Sequence, residues 1–174
     1  IENAINDLKS YSINKLDTIV GISCSGSASY VISALEYARE LKAKTIYLIT
    51  NPNPYKNTKV DVMIQANTGP EIVTGSTRMK AGTATKLILN MISTTTMIKL
   101  GKVYGNLMID LKTVNKKLID RGTRIISEIT GLEYDRAKDR LVSAENSVKL
   151  AIVMEKFKCN LEEAKAMLKN VDGF

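Results

Sequence analysis

Histidine is absent from this 174-residue chain, and cysteine, proline and aromatic residues are scarce. Without histidine the chain lacks the usual general base and the commonest metal ligand, so proton transfer would depend on Glu, Asp, Lys, Tyr or water. The two cysteines, Cys24 and Cys159, lie far apart and have no metal-ligand spacing. We therefore expect two reduced thiols, with neither a disulfide scaffold nor a metal site.

Long apolar runs are also missing, and no charged-then-apolar leader precedes residue 10. This pattern predicts a cytoplasmic protein with no membrane partner. The net charge is +7, yet the cations are dispersed and the aromatic residues are seven Tyr and two Phe with no stacking motif. A solvated basic surface that attracts phosphorylated ligands is a better interpretation than a nucleic-acid site.

What is present is the composition of a soluble globular protein, with 44% hydrophobic and 25% charged residues. Short apolar runs predict strands at 17–23, at 45–50 and, more weakly, at 60–65. Apolar spacing of helical period predicts a helix at 30–41 between the first two strands. Strand, helix and strand at this spacing predict a parallel sheet with right-handed crossovers, which is an α/β fold.

Other helices are predicted around this sheet. Apolar and small residues over 79–100 indicate a long helix in the core or at a dimer interface, and the chain from about residue 111 reads as entirely helical. Helices are expected at 1–10, 115–129 (stopped by Gly131), 134–142 and 146–156, and after Asn160, where Glu163 completes a capping box, ending near Gly173.

The stretch 69–86 joins the third predicted strand to the long helix and is the first candidate site. It places one carboxylate, several hydroxyls and cations at a helix entrance, where unpaired amides and the helix dipole favour an anion. The candidate ligand-binding residues there are Glu71, Ser76, Thr77, Arg78 and Lys80.

More than one role remains open for each of these charged side chains. Glu71 could orient sugar hydroxyls or, with a raised pKa, transfer a proton, but it could equally cap backbone amides. Arg78 and Lys80 could be solvated, although the helix dipole disfavours cations at this end, which suggests an anion nearby.

A second candidate loop spans 21–29 and supplies Ser23, Ser25 and Ser27 between a strand and a helix. Its glycines are spaced as in a nucleotide-binding P-loop, but Ser27 stands where that motif requires lysine. The hydroxyls suit a sugar or a phosphate. Ordinary helix capping is the competing interpretation.

Over essentially its whole length the chain resembles the later part of the N-acetylmuramic acid 6-phosphate etherases, which share a signature with the glucokinase regulatory proteins. The stretch 100–108 is typical of the bacterial etherases. The matching positions of the signature are Gly69-Pro70-Glu71, Ser76-Thr77-Arg78, Lys80, Gly82-Thr83, Lys86 and Asn90.

The loop at 21–29 is similar to the second Ser-containing turn of a sugar isomerase (SIS) domain. Ser25-Gly26 match the etherase pattern, whereas Ser27, Ala28 and Ser29 replace the usual Arg, Thr and Pro. Arginine binds a phosphate through two parallel hydrogen bonds and serine cannot, so this departure bears on the affinity or identity of the substrate.

The resemblance implies a partial SIS-type parallel sheet flanked by helices, followed by a small all-α bundle. It divides the chain into the second half of a SIS domain, residues 1–110, and a C-terminal helical domain, residues 111–174. It also implies a homodimer, a phosphorylated amino sugar as ligand, and no metal or organic cofactor.

The implied activity is that of a carbon–oxygen lyase in cell-wall amino-sugar catabolism and peptidoglycan recycling. The parent enzyme eliminates D-lactate from N-acetylmuramic acid 6-phosphate and adds water, giving N-acetylglucosamine 6-phosphate. The family's catalytic glutamate matches no position here, so the catalytic residue is unknown and we expect an inactive fragment. A non-catalytic, sugar-phosphate-sensing regulatory module is the alternative.

Overall fold

The structure is a computed structural model that describes residues 2–52 and 58–169. The chain forms two compact units, residues 1–91 and 92–174. The predicted domain boundary between residues 110 and 111 stays a prediction. Parts of two expectations lie outside the described residues: Ile1 in the first helix and the end of the last helix near Gly173.

The first unit contains a three-stranded parallel sheet in the order β1-β2-β3. Val20 pairs with Ile46, and Ile46 pairs with Val62. The α/β architecture predicted from the strand–helix–strand spacing is confirmed. The elements are α1 (Glu2–Ser10), β1 (Thr18–Ile22), α2 (Ser29–Glu40), β2 (Lys44–Ile49) and β3 (Val62–Gln65), followed by α3 (Lys80–Lys99), which begins in this unit and ends in the second.

One face of the sheet packs against α2. The cluster of buried residues there is Ile32, Leu35, Tyr47 and Ile49. Gly21 allows this approach, because a Cβ atom on it would lie 2.6 Å from Leu35 Cδ1. Helix and sheet are therefore in direct contact at this glycine.

The opposite face of the sheet is covered only in part. Side chains alternate between faces along a strand, so Val20, Ile22, Leu48 and Val62 all lie on this side. Leu48 is fully buried, but Val20, Ile22 and Val62 are each more than a third exposed. Parallel sheets are normally covered on both faces, so this side retains unpaired apolar surface.

Helix α3 differs from the expectation of a core helix. Of its described residues only Ala81 is buried, and Leu87 and Met91 are both more than half exposed. Its small and apolar residues are spread around the helix instead of forming one stripe, so their number did not reveal which side is covered.

The second unit is helical apart from a small hairpin. Its core cluster includes Ile126, Leu141 and Ile152, all fully buried. The hairpin of β4 (Val103–Tyr104) and β5 (Leu107–Met108) was not predicted, because two-residue strands leave almost no periodicity. The helices are α4 (Lys116–Thr130), α5 (Tyr134–Ser143), α6 (Val148–Phe157) and α7 (Leu161–Lys169).

The helix ends of this unit follow the sequence signals. The Asn160 side chain accepts a bond from Glu163 N at 3.0 Å, and Asn160 N donates to Glu163 Oε2 at 2.9 Å. The predicted capping box is thus confirmed. Gly131 ends α4 with a φ of 75°, as expected of a helix-stopping glycine.

Candidate functional site

Three loops meet at the carboxyl edge of the parallel sheet and line an open cavity of about 450 Å³. They follow β1, β2 and β3, and the strand ends meet because parallel strands share one carboxyl edge. The cavity is lined by Cys24, Ser25, Thr50, Asn51, Pro52, Asn67, Thr68, Gly69, Pro70, Glu71, Thr74, Gly75, Thr77 and Ala81.

The loop after β1 is a compact turn built from its own serines. Ser23 is buried, and its hydroxyl accepts a bond from Gly26 N at 3.2 Å. The hydroxyls of Ser25 and Ser27 lie 2.7 Å apart, and Ser25 Oγ also accepts from Ser27 N. Gly26 has a φ of 74°, a left-handed conformation that glycine adopts without strain. Ser25 is the member of this trio that lines the cavity.

Helix α2 begins directly after this turn without a side-chain cap. Its N-cap residue is Ala28, which has no side chain able to bond the first amides, and its first turn has no acidic residue. The amides at a helix start carry a partial positive charge. The capping interpretation of the serine loop is therefore wrong, and this helix end retains its attraction for an anion.

The loop after β2 is bonded to the serine loop. Thr50 donates to Cys24 O through both its backbone N–H, at 3.2 Å, and its hydroxyl, at 3.3 Å. The Asn51 side chain donates to Ser25 O at 3.5 Å. These contacts hold the first two walls of the cavity together.

In the third loop, Glu71 caps helix α3. Its carboxylate accepts bonds from Lys80 N and Ala81 N, both at 3.0 Å. These two amides hold the pKa of the Glu71 carboxyl below its ordinary value. The capping interpretation is thus the correct one, and the hypothesis of a raised pKa for proton transfer is wrong.

Neither of the two predicted cations is among the residues that line the cavity. Lys80 Nζ donates to Pro70 O at 2.8 Å and so braces the loop that carries Glu71. Arg78 is exposed. Among the lining residues in the described part of the chain there is no Lys or Arg. Any anion held at this edge would therefore depend on amides and hydroxyls.

The structure brings together some of the predicted site residues and separates others. Ser25, Glu71 and Thr77 line the cavity, while Ser23 lies buried beneath its first loop. Ser27, Ser76, Arg78 and Lys80 lie outside the lining. Sequence reasoning missed Thr50, Asn51, Asn67 and Thr68, although their positions just after β2 and β3 could have indicated them.

Two other searches of the described residues give negative findings. No group of three Cys, Asp or Glu side chains converges there in a way that could hold a metal ion. None of the helices described combines the length and apolar character needed to cross a membrane.

No family model matches the chain. It is 51% identical over 171 residues to the N-acetylmuramic acid 6-phosphate etherase of Oceanobacillus iheyensis, which covers 98% of this chain and 58% of that protein. It is 48% identical over 173 residues to the etherase of the same name from Bacillus cereus, which covers 99% of this chain and 59% of the relative. The resemblance stated from the sequence is confirmed.

A solved structure from Clostridium difficile, described as a candidate phosphosugar isomerase, matches 91% of this chain and 49% of its own. The TM-score is 0.48 and the sequence identity 18%. The chain spans about 58% of the length of the curated relatives that it matches.

Proposed function

We propose that this chain, a homologue of the N-acetylmuramic acid 6-phosphate etherases along 98% of its length, forms part of the substrate site of such a lyase. In the proposed reaction a base removes the C2 proton of the sugar, and the bond from C3 to the lactyl oxygen breaks to release D-lactate. Water then adds across the C2–C3 double bond and gives N-acetylglucosamine 6-phosphate.

One observation carries the proposal: three loops rich in hydroxyls and amides line an open cavity of about 450 Å³ at the carboxyl edge of the sheet. That volume lies in the range of small-ligand sites, roughly 300–1,000 Å³. Neutral hydrogen-bonding groups such as Ser25, Asn51 and Thr77 suit the hydroxyl and acetamido groups of an amino sugar.

Within this site we place the phosphate at the start of α2 instead of at α3. The amides of Lys80 and Ala81 are occupied by Glu71, which also repels an anion. The start of α2 has no side-chain cap and no acidic residue in its first turn. The Ser25 hydroxyl lines the cavity and is bonded to Ser27, two residues before this helix begins, so phosphate oxygens there would find both donors and a favourable dipole.

Proton transfer is not assigned to any residue of this chain. Glu71 is the one carboxylate among the described lining residues, and both of its oxygens accept backbone amides. Its lowered pKa keeps it ionised at neutral pH. We expect this chain alone to bind the phosphorylated sugar and to release lactate far more slowly than the relatives do.

The same observation favours the second candidate, a non-catalytic module that senses sugar phosphates. Binding without turnover is what such a module would do. The two functions separate in one assay: adding the remaining part of the Oceanobacillus iheyensis etherase as a separate polypeptide should restore lactate release if the lyase site is completed by it. Binding without any restored turnover would favour the sensing module.

We also propose a homodimer and a cytoplasmic location in amino-sugar catabolism. The apolar residues that α3 exposes support the first, since Leu87, Met91 and Ile98 are each more than half exposed. Sedimentation of the chain and of a Leu87→Glu variant tests it. A wild-type monomer at micromolar concentration would contradict the dimer.

Binding is tested by calorimetry with N-acetylglucosamine 6-phosphate, with the sugar lacking phosphate as the ligand control. Ser25→Ala and Thr77→Val should each weaken binding about fivefold to tenfold, the loss of one hydrogen bond. Ser10→Ala and Thr83→Val make the same changes at exposed positions outside the cavity and should bind as the wild type does. If calorimetry detects no heat of binding for the phosphorylated sugar, the proposed site is refuted.

A further inference from the structure

Gln65 is an exposed residue outside the cavity lining, yet it is bonded to the wall of the cavity. It is the last residue of β3 and pairs with Ile49, the last residue of β2. Its side-chain amide donates to Asn51 O at 2.9 Å and to Pro52 O at 2.5 Å. Both partners are carbonyl acceptors, and the amide nitrogen has two hydrogens to donate.

The segment that Gln65 holds is the part of the wall with the weakest support from the sheet. The ladder between β2 and β3 extends only as far as the bond from Ala66 N to Ile49 O. Thr50 is bonded to Cys24 O on the other side. Beyond it, proline has no N–H to donate, so Pro52 can be held only through its carbonyl or by packing.

From this arrangement we infer that Gln65 is a positioning residue, which fixes Asn51 and Pro52 as the middle wall of the cavity. The inference rests on the proposed function in one respect: the ligand whose affinity Gln65 affects is the phosphorylated amino sugar. A side chain at a strand end, in contact with solvent, contributes little to the hydrophobic core. Its two donated bonds instead tie this wall to the end of β3, while Thr50 and Asn51 bond the same wall to the serine loop.

A ligand-independent measurement tests the wall directly. Cys24 lines the cavity and is half-buried, and Cys159 is a half-buried thiol elsewhere in the chain. Pulse labelling with N-ethylmaleimide followed by peptide mass mapping reports both thiols at once. Cys24 should react faster when the wall opens, while Cys159 reports any general loosening of the chain.

Three substitutions separate the bonds from the shape of the side chain. Gln65→Met keeps the length but removes the donors, and Gln65→Glu keeps the shape but offers only acceptors to two carbonyl oxygens. Gln65→Lys restores donors on a side chain of similar reach. The control Glu40→Met makes a comparable polar-to-apolar change at an exposed position of α2.

We expect Gln65→Met and Gln65→Glu to raise the labelling rate of Cys24 and to weaken binding of N-acetylglucosamine 6-phosphate, each by about threefold to tenfold. Gln65→Lys and Glu40→Met should behave as the wild type does. Labelling of Cys159 and the unfolding midpoint should change little in all four variants.

The outcomes distinguish the two proposals. If the wild type fails to bind the phosphorylated sugar, the proposed function fails, and the Cys24 rate still decides the role of Gln65. If the wild type binds but Gln65→Met changes neither the Cys24 rate nor the affinity, the positioning role is overturned and the function stands. Equal acceleration of both thiols, or no rescue by lysine, would show a merely structural residue and would also overturn it.

Discussion

The two units of this chain bury apolar surface to different extents. Among the described residues, the core cluster of the second unit has 13 buried members, whereas that of the first has four. The first unit leaves Val20, Ile22 and Val62 of its sheet partly exposed. The cavity lies in this thinly packed unit, which agrees with the general rule that binding regions come from the less stable parts of a fold.

The largest expected effect tests the well-packed unit. Leu141 is fully buried in its core cluster, so Leu141→Ala should lower the free energy of unfolding by about 2–5 kcal/mol, through lost burial and a residual cavity. Guanidinium unfolding followed by circular dichroism measures it. Labelling of Cys24 in native buffer should stay unchanged. A loss of unfolding free energy below about 1 kcal/mol would mean that this core is loosely packed.

The next effect tests the thin unit at its closest contact. A Cβ atom at Gly21 would lie 2.6 Å from Leu35 Cδ1 and 2.7 Å from Val31 Cγ1. Gly21→Ala should therefore lower the free energy of unfolding by about 1–3 kcal/mol, because the Leu35 and Val31 side chains must shift. The labelling rate of Cys24 should rise with it. An unchanged free energy of unfolding would show that the four-residue cluster can rearrange to accommodate the added methyl group.

A matched glycine in the second unit should show a smaller effect. A Cβ atom at Gly122 would lie 2.9 Å from Val148 Cγ2 and 3.2 Å from Thr113 Cγ2. This crowding opposes the gain of about 1 kcal/mol that alanine brings to a helix interior. Gly122→Ala should change the free energy of unfolding by less than about 1 kcal/mol. A loss as large as that of Gly21→Ala would reverse the comparison.

The smallest effect is a pH dependence in the first unit. Asp61 accepts bonds from Lys44 Nζ, Thr45 N and Thr45 Oγ1, and these hold its pKa at about 2. Its folded pKa lies below the value of 3.8 expected without these bonds. The stabilisation is therefore complete above about pH 4 and is lost as the pH falls towards about 2.

Unfolding midpoints measured from neutral pH down to about pH 2 check this linkage. Asp61→Asn should lower the midpoint at neutral pH and flatten its decline in acid. Glu128→Gln, at an exposed position of α4, should leave the decline unchanged. An unaltered acid decline in Asp61→Asn would contradict the assignment.

Much of the fold could be predicted from local signals. The capping box of Asn160 and Glu163 and the stop at Gly131 depend on nearby residues alone, and both are confirmed. The burial of α3 could not be predicted in the same way, because its apolar residues do not select one side. The short hairpin at 103–108 was missed for lack of a repeating pattern.

The candidate site could be predicted in outline from the sequence, but one important detail of the prediction, the role of Glu71, was wrong. The sequence indicated that loops after the first and third strands would meet at one edge, and residues of both line the cavity. It could not decide whether Glu71 binds a ligand or its own helix, since that depends on a loop folding back over nine residues to reach Lys80 N. For this reason the anion site that we propose lies at the start of α2.

The sequence by itself determined the helices and strands, their parallel arrangement and the kinship with the etherases, because periodicity, caps and motif spacing act over short distances along the chain. Only the tertiary structure decided which helix start lacks a side-chain cap, which hydroxyls share a cavity, and that Gln65 is bonded to Asn51 and Pro52. These features depend on contacts between residues distant in sequence. At the start of α3, for example, the Glu71 carboxylate accepts the Lys80 and Ala81 amides that an anion would otherwise bind.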